Sequence, residues 1–290
     1  MSHDPRSRRG AQVTSRGMSA VFLSNEPGDG GAEDTVPGRP REFIQSLERG
    51  LAIIRAFGPD APEQTVSELA AKTGLTRATA RRFLITLIEL GYMESDGRLF
   101  RLTPRVLELG YSFLSGLAFP DAALPHMERL VAEVDESSEA SVLDGPDIVY
   151  VARVPSSSVI TLTMNVGARM PAHATSMGKV LLAALPPDQL DAYLADAHLQ
   201  AMLPRTVTDP AELRAQLQKV REAGYAIVDQ ELEEGLVAIA APVHDRNGRA
   251  VGAINLSSHV MRRSVESMRD ELVGPLLRTA KLIEADLAVA

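Results

Sequence analysis

His173, Ser176 and Asp229 have the residue types of a hydrolase triad. No Gly-x-Ser-x-Gly elbow surrounds any Ser, so nothing presents a nucleophile. His3, His126, His173, His198, His244 and His259 show no metal-ligand spacing, and the absence of Cys removes thiolate ligands and nucleophiles. Neither a Walker loop nor a dinucleotide fingerprint occurs. The sequence is therefore read as having no catalytic residue, no metal and no cofactor, with a hydrolase using Ser176 and His173 kept as an alternative.

A different chemistry is better supplied. Arg77, Arg81, Arg82 and Arg98 fall within one short stretch, interleaved with Thr76, Thr79 and Thr86. Guanidinium groups bind phosphates and guanine edges, and small hydroxyl side chains allow close approach to a duplex. These seven residues are the candidate DNA contacts. The elements that must hold them can be read locally. Thr65 and Glu68 form a Thr-x-x-Glu capping box that starts a short helix. Gly74 suits the left-handed residue that closes it, and Thr76 caps the next helix. Two helices joined by a short turn containing Gly make a helix-turn-helix. In the second helix Ala80, Phe83, Leu84, Leu87 and Ile88 follow i, i+3, i+4, i+7, i+8 and should face a core. Tyr92–Ser95 and Arg98–Leu102 then read as strands around an Asp96-Gly97 hairpin turn, a wing with Arg98 at its tip.

Charge and composition agree with this once they are divided along the chain. The 290 residues suggest two domains and carry a net charge of -8. Residues 41–117 hold ten Lys+Arg against nine Asp+Glu, whereas 118–290 hold fifteen against twenty-four. The acidity thus belongs to the C-terminal part, and phosphate neutralisation depends on local charge. No apolar run approaches a membrane span, and Met18–Leu23 is too short for a signal-peptide core. With zero Cys, this fits a cytoplasmic protein with no membrane partner.

In chain order, residues 1–40 are rich in Gly, Ser, Asp, Arg and Pro and read as a disordered, solvated tail. Residues 41–103 are read as a winged helix-turn-helix domain. Its first helix, Phe43–Phe57, is expected to pack under the next two through Leu47, Leu51 and Ile54. Residues 104–119 are read as a linker helix, with Thr103 as cap and Pro104 at the first position. Its apolar character suggests pairing with a twin chain. Residues 120–290 are read as the second domain, bounded by Phe119-Pro120. It begins with a helix over Ala122–Val134. Strands are expected at Ala140–Leu143, Ile148–Val154, Val159–Val166, Tyr225–Val228, Leu236–Val243 and Ala250–Leu256. Helices are expected at Ser176–Ala184, Pro187–Ala195, Asp209–Gly224 and Val265–Leu287. The order implies an α+β sheet covered on one face by helices.

Several motifs in order resemble the IclR family of bacterial transcriptional regulators. They are Phe43–Leu51, the helix-turn-helix, Met170-Pro171-Ala172-His173-Ala174-Thr175-Ser176-Met177-Gly178-Lys179 and Gly235–Val243. Asp144–Val154 and Leu102–Leu107 resemble in particular the PcaR/PcaU/PobR group, regulators of the β-ketoadipate route for aromatic-compound breakdown. The resemblance implies a winged helix-turn-helix, a helical linker and a GAF-like effector domain. It also implies an operator in double-stranded DNA, an organic-acid effector, homodimers paired into dimers of dimers, and activation with RNA polymerase as a partner. The alternative within the family is a repressor of another carboxylate-catabolism operon.

The resemblance places Ser176, Met177, Asp229, Ala238, Asn255 and Ser257 in the effector pocket. Many relatives have Cys where Ala238 stands. The residues themselves support part of this. Thr175 and Ser176 lie at a helix start, where free N–H groups favour a carboxylate; capping the helix is their other role. Asn255 and Ser257 share one face of a strand, and Asn255→Leu is expected to spare the fold. Arg153 is a further candidate for pairing an acidic effector.

Overall fold

The computed structural model describes residues 40, 42–156, 165–196 and 198–289. The tail read as disordered and most of the strand expected at Val159–Val166 lie outside the described residues; Val166 itself falls in a turn.

The N-terminal unit is built by local signals. Helix α1 (Gln45–Arg55) precedes strand β1 (Glu63–Thr65), helix α2 (Val66–Thr73) and helix α3 (Arg77–Glu89). The capping box forms in full: Glu68 Oε2 accepts the Thr65 N–H at 2.7 Å, and Thr65 Oγ1 accepts the Glu68 N–H at 3.4 Å. Gly74 closes α2 at φ 67°, in the left-handed region. Strands β2 (Met93–Ser95) and β3 (Leu99–Leu102) make the wing, whose turn is pinned by Asp96 Oδ1 accepting the Arg98 and Leu99 N–H groups at 2.8 Å each. Strand β1, unforeseen in the sequence, pairs with the outer edge of β3 in the order β1-β3-β2.

Two expectations need correction here. Helix α1 buries Ile53 against Leu69, Leu84 and Phe100, while Leu47 and Leu51 are exposed. Of the expected stripe only Ile54 packs against this core; Leu47 and Leu51 lie round the helix from the core-facing side. Thr103 holds the N-cap position and Pro104 the first position, but of a 3-10 turn, and no side-chain cap forms, since the Thr103 hydroxyl donates to the Gly91 carbonyl at 2.6 Å. Helix α4 (Leu107–Leu114) follows, with Leu107, Leu109, Tyr111 and Phe113 all exposed.

The C-terminal unit is a six-stranded antiparallel sheet in the order β6-β5-β4-β9-β8-β7. Its strands are β4 (Ser138–Asp144), β5 (Asp147–Val154), β6 (Arg169–Pro171), β7 (Ala226–Asp229), β8 (Leu236–His244) and β9 (Ala250–His259). Helices cover both faces, not one. Helix α5 (Ala118–Val134) packs on one face with α10 (Val273–Val289), which continues α9 (Val265–Ser267) through a π-helical turn. There Met127, Leu130, Leu276 and Ile283 meet Ile239, Ile254 and Leu256. Helix α6 (Ser176–Ala184) and α8 (Pro210–Ala223) cover the other, where Leu181, Leu213 and Leu217 meet Ala240 and Ala253; α7 (Pro187–Asp196) flanks them. The near-continuous apolar runs of β8 and β9 are what two covered faces require. Phe119-Pro120 lies inside the first turn of α5, with Phe119 buried in that core. Proline is tolerated there because first-turn N–H groups have no intrahelical partner.

Candidate functional site

Helix α3 turns Ala80, Leu84 and Leu87 into the core and leaves Arg77, Arg81, Arg82 and Thr86 exposed. Some of the candidate contacts are engaged within the chain. Thr76 Oγ1 accepts the Thr79 N–H at 3.2 Å and donates to Thr79 Oγ1 at 2.9 Å. Thr86 Oγ1 donates to the Arg82 carbonyl at 3.0 Å, and Arg77 donates to Ser67 Oγ. The side chains of Arg81 and Arg82, and that of Arg98 beside the wing turn, have no hydrogen-bond or ion-pair partner among the described residues. Arg101 differs, being held by Glu94 at 2.6 Å and Glu63 at 3.1 Å. Arg105 is also tied back, to the Leu90 carbonyl and over the Tyr92 ring.

The second site is a narrow slot between α6 and the sheet, with a cavity volume of about 30 Å³. Of the eight effector candidates, Thr175, Ser176, Met177, Ala238, Asn255 and Ser257 line it. Cross-strand register explains part of this. Ala238 pairs with Ser257 and Ala240 with Asn255, so these side chains stand on the face toward α6. Thr175 caps α6 by accepting the Gly178 N–H at 3.0 Å. The N–H groups of Ser176 and Met177, at the first two helical positions, have no intrahelical acceptor.

Asp229 and Arg153 are elsewhere. On β7, Val228 points into the cavity, and alternation turns Asp229 away, where it pairs with Arg205. Arg153 lies opposite Glu139 across β4 and β5, with Nε 3.8 Å from Glu139 Oε1, near enough to pair in charge but not to hydrogen-bond. A bulge brings it to that face. The β4–β5 register shifts between Ala140, opposite Ala152, and Ser141, opposite Tyr150, leaving Val151 extra. Tyr150 and Arg153, three residues apart, consequently share one side of the sheet.

Sequence reasoning missed Glu139 and Tyr150, both in the cavity wall, along with Val228, Leu232 and Leu236. The signal for Glu139 was a carboxylate adjoining a strand of small and apolar residues. It is 3% exposed, and burial pushes its carboxyl above the usual range. The Asn255 amide, the Arg153 charge and the Ser257 hydroxyl oppose that rise. Burial, and secondarily the Glu139 charge, also raise the Tyr150 phenol. Asn255 has a structural duty as well, since its Oδ1 accepts the Glu139 N–H at 2.7 Å. Asn255→Leu would orphan that buried donor at a cost of about 1–3 kcal/mol, so the substitution does not spare the fold.

The hydrolase constellation is not assembled. His173 Nε2 lies 3.0 Å from the Gln200 carbonyl, in a separate groove beside Tyr193, while Ser176 faces the cavity. A buried Lys179–Glu231 pair at 2.5 Å, with Gln216 at 2.9 Å from Lys179 Nζ, anchors the segment that carries Leu232. Burial lowers the Lys179 pKa, and the Glu231 carboxylate counters this.

Residues 46–97 match the IclR helix-turn-helix domain, and residues 112–285 match the bacterial transcriptional regulator IclR C-terminal domain. The Pca regulon regulatory protein of Pseudomonas putida is 40% identical over 241 residues, covering 83% of each chain. The p-hydroxybenzoate hydroxylase transcriptional activator of Acinetobacter baylyi is 36% identical over 245 residues, covering 83% of this chain and 90% of its own. An IclR homolog from Microbacterium hydrocarbonoxydans, solved in complex with 4-hydroxybenzoate, superposes with a TM-score of 0.73 at 29% identity, covering 84% of this chain and 100% of its own. With a helix-turn-helix in its N-terminal unit, a lined cavity in its C-terminal unit and both family domains matched in order, this chain belongs to the IclR family of bacterial transcriptional regulators.

Proposed function

We propose that the cavity takes a small, flat organic acid of aromatic-compound breakdown, and that its occupancy changes how the protein uses its operator. The observation that carries this is the join between an α6 start with unbonded Ser176 and Met177 N–H groups and a narrow, mostly apolar slot. A helix start offers a carboxylate oriented donors without a mobile charge, which matters in an acidic domain. The ligand and operon named for the relatives support the aromatic class, and the activator among them supports activation, with RNA polymerase as partner. The DNA module extends to about residue 103, and the linker, read as 104–119, ends where α5 begins at Ala118, since Phe119 already packs in the sensor core.

Filling the slot tests the reading. Ala238→Phe places a ring in the slot, opposite Ser257. Titration calorimetry with 4-hydroxybenzoate and 3,4-dihydroxybenzoate should show affinity reduced by about 100-fold or more, against a wild type that these acids stabilise to heat. Equal affinity in the variant would place the ligand elsewhere.

We also propose that the chain works as a dimer joined through α1 and α4. The exposed residues of α1 (Leu47, Leu51), Ile44 just before it, and α4 (Leu107, Tyr111, Phe113) are the kind of apolar surface that a monomer rarely leaves open. Leu107→Glu with Tyr111→Glu should move the sedimentation mass toward the monomer while circular dichroism stays native. An unchanged mass would exclude α4 from the interface. Pairing of dimers on DNA belongs to the same reading, and sedimentation with operator present reads it directly.

A further inference from the structure

Glu139 is the one carboxylate in the cavity wall among the described residues. An ionised carboxylate has about four acceptor sites and no donor. Among the described residues, Glu139 Oε2 accepts from Ser257 Oγ at 3.2 Å, a long bond, and the Asn255 amide also stabilises the carboxylate, which leaves part of its acceptor capacity open. Its cation does not close on it: Arg153 Nε stands 3.8 Å from Oε1, and that Nε is buried without a hydrogen-bond acceptor. The cavity therefore has two unlike regions. The α6 start offers N–H donors, and the β4–β9 wall offers an acceptor with spare capacity.

We propose that Glu139 is the specificity-determining residue of the cavity, accepting a hydrogen bond from a ligand hydroxyl and rejecting a second carboxylate. This rests on the reading that the cavity holds an organic acid, and it narrows that class to hydroxylated monocarboxylates. An acid lacking the hydroxyl leaves the remaining acceptor capacity of Glu139 unfilled in a buried site. A dicarboxylate of similar length brings two anions together where water is scarce. Both are disfavoured for the reason that makes polar sites selective: a buried group left unpaired, or paired with its like, costs more than a matched one contributes.

The full-length protein and three para-related probes test this: benzoate, 4-hydroxybenzoate and benzene-1,4-dicarboxylate, titrated calorimetrically. The wild type should bind 4-hydroxybenzoate at least about tenfold more tightly than benzoate, and the dicarboxylate more weakly than benzoate. Glu139→Gln, which keeps the shape and removes the charge, should gain at least about tenfold for the dicarboxylate relative to wild type and lose affinity for 4-hydroxybenzoate. Should this variant fail to fold, the wild-type ranking alone decides. A wild type that binds all three equally, or a Glu139→Gln variant with an unchanged ranking, overturns the role of Glu139 while leaving the cavity as an acid site. If none of the acids binds, the cavity reading falls and this inference with it.

Discussion

Gly178→Ala should strongly destabilise the C-terminal domain. A Cβ at that position would stand 2.1 Å from the Ala172 carbonyl oxygen and 2.4 Å from its Cα, both backbone atoms. No side chain can rotate aside, so α6 itself would have to move. That helix has little room, because Met177, Val180, Leu181 and Leu182 are all buried around the same turn of chain. Overpacking in a formed core costs about 1–3 kcal/mol and occasionally more. Against backbone the upper end applies, a large part of a domain's net stability. Denaturation of the full-length variant, followed by circular dichroism, should show the transition lost or shifted by many degrees. Gly110→Ala is the matching control, since nothing lies within 4 Å of its added Cβ. A Gly178→Ala protein melting with the wild type would mean that Ala172 and α6 do not approach as described. The same contact sets the α6 start, so partial destabilisation should also weaken ligand binding.

Arg82→Ala should cut operator affinity by roughly 10- to 100-fold, the loss of about 1–3 kcal/mol expected for a base contact. The fold should be untouched, since the side chain is exposed and unpartnered among the described residues. Arg81→Ala should act more evenly across sequences and reduce the salt slope of binding by about one if it contacts phosphate. Arg101→Ala should change operator affinity less than either, because its guanidinium is already engaged by Glu63 and Glu94. Binding isotherms at several salt concentrations, on operator and on scrambled DNA, separate the three. Unchanged affinity in Arg82→Ala with native circular dichroism would remove α3 from the groove.

Much of the fold was legible because it depends on neighbours in sequence. The capping box of α2, the Gly74 stop, the Asp96 turn and the apolar face of α3 each involve groups within a few residues, so local sterics and hydrogen bonding decide them. Alternation placed Asn255 and Ser257 on one face of β9 for the same reason. Recognition of the family came from such local motifs in order.

What the tertiary structure decided is which of several locally equal choices was taken. Helix α1 has apolar residues on more than one side, and only the position of α2 and α3 determines that Ile53 is buried while Leu47 and Leu51 are not. A one-residue bulge in β5 sets Arg153 against Glu139 and not in the cavity lining. Alternation at an edge strand sends Val228 inward and Asp229 out to Arg205. Glu139 fell just outside the expected strand, and only the closing of α6 and β9 around β4 makes it a buried cavity residue. Long-range packing settles these cases, because a side chain's surroundings come from elements more than a hundred residues away, as between Glu139 and Asn255. Sequence spacing determined which groups lie side by side along each element; only assembly of the elements determined which of them face the same enclosed space.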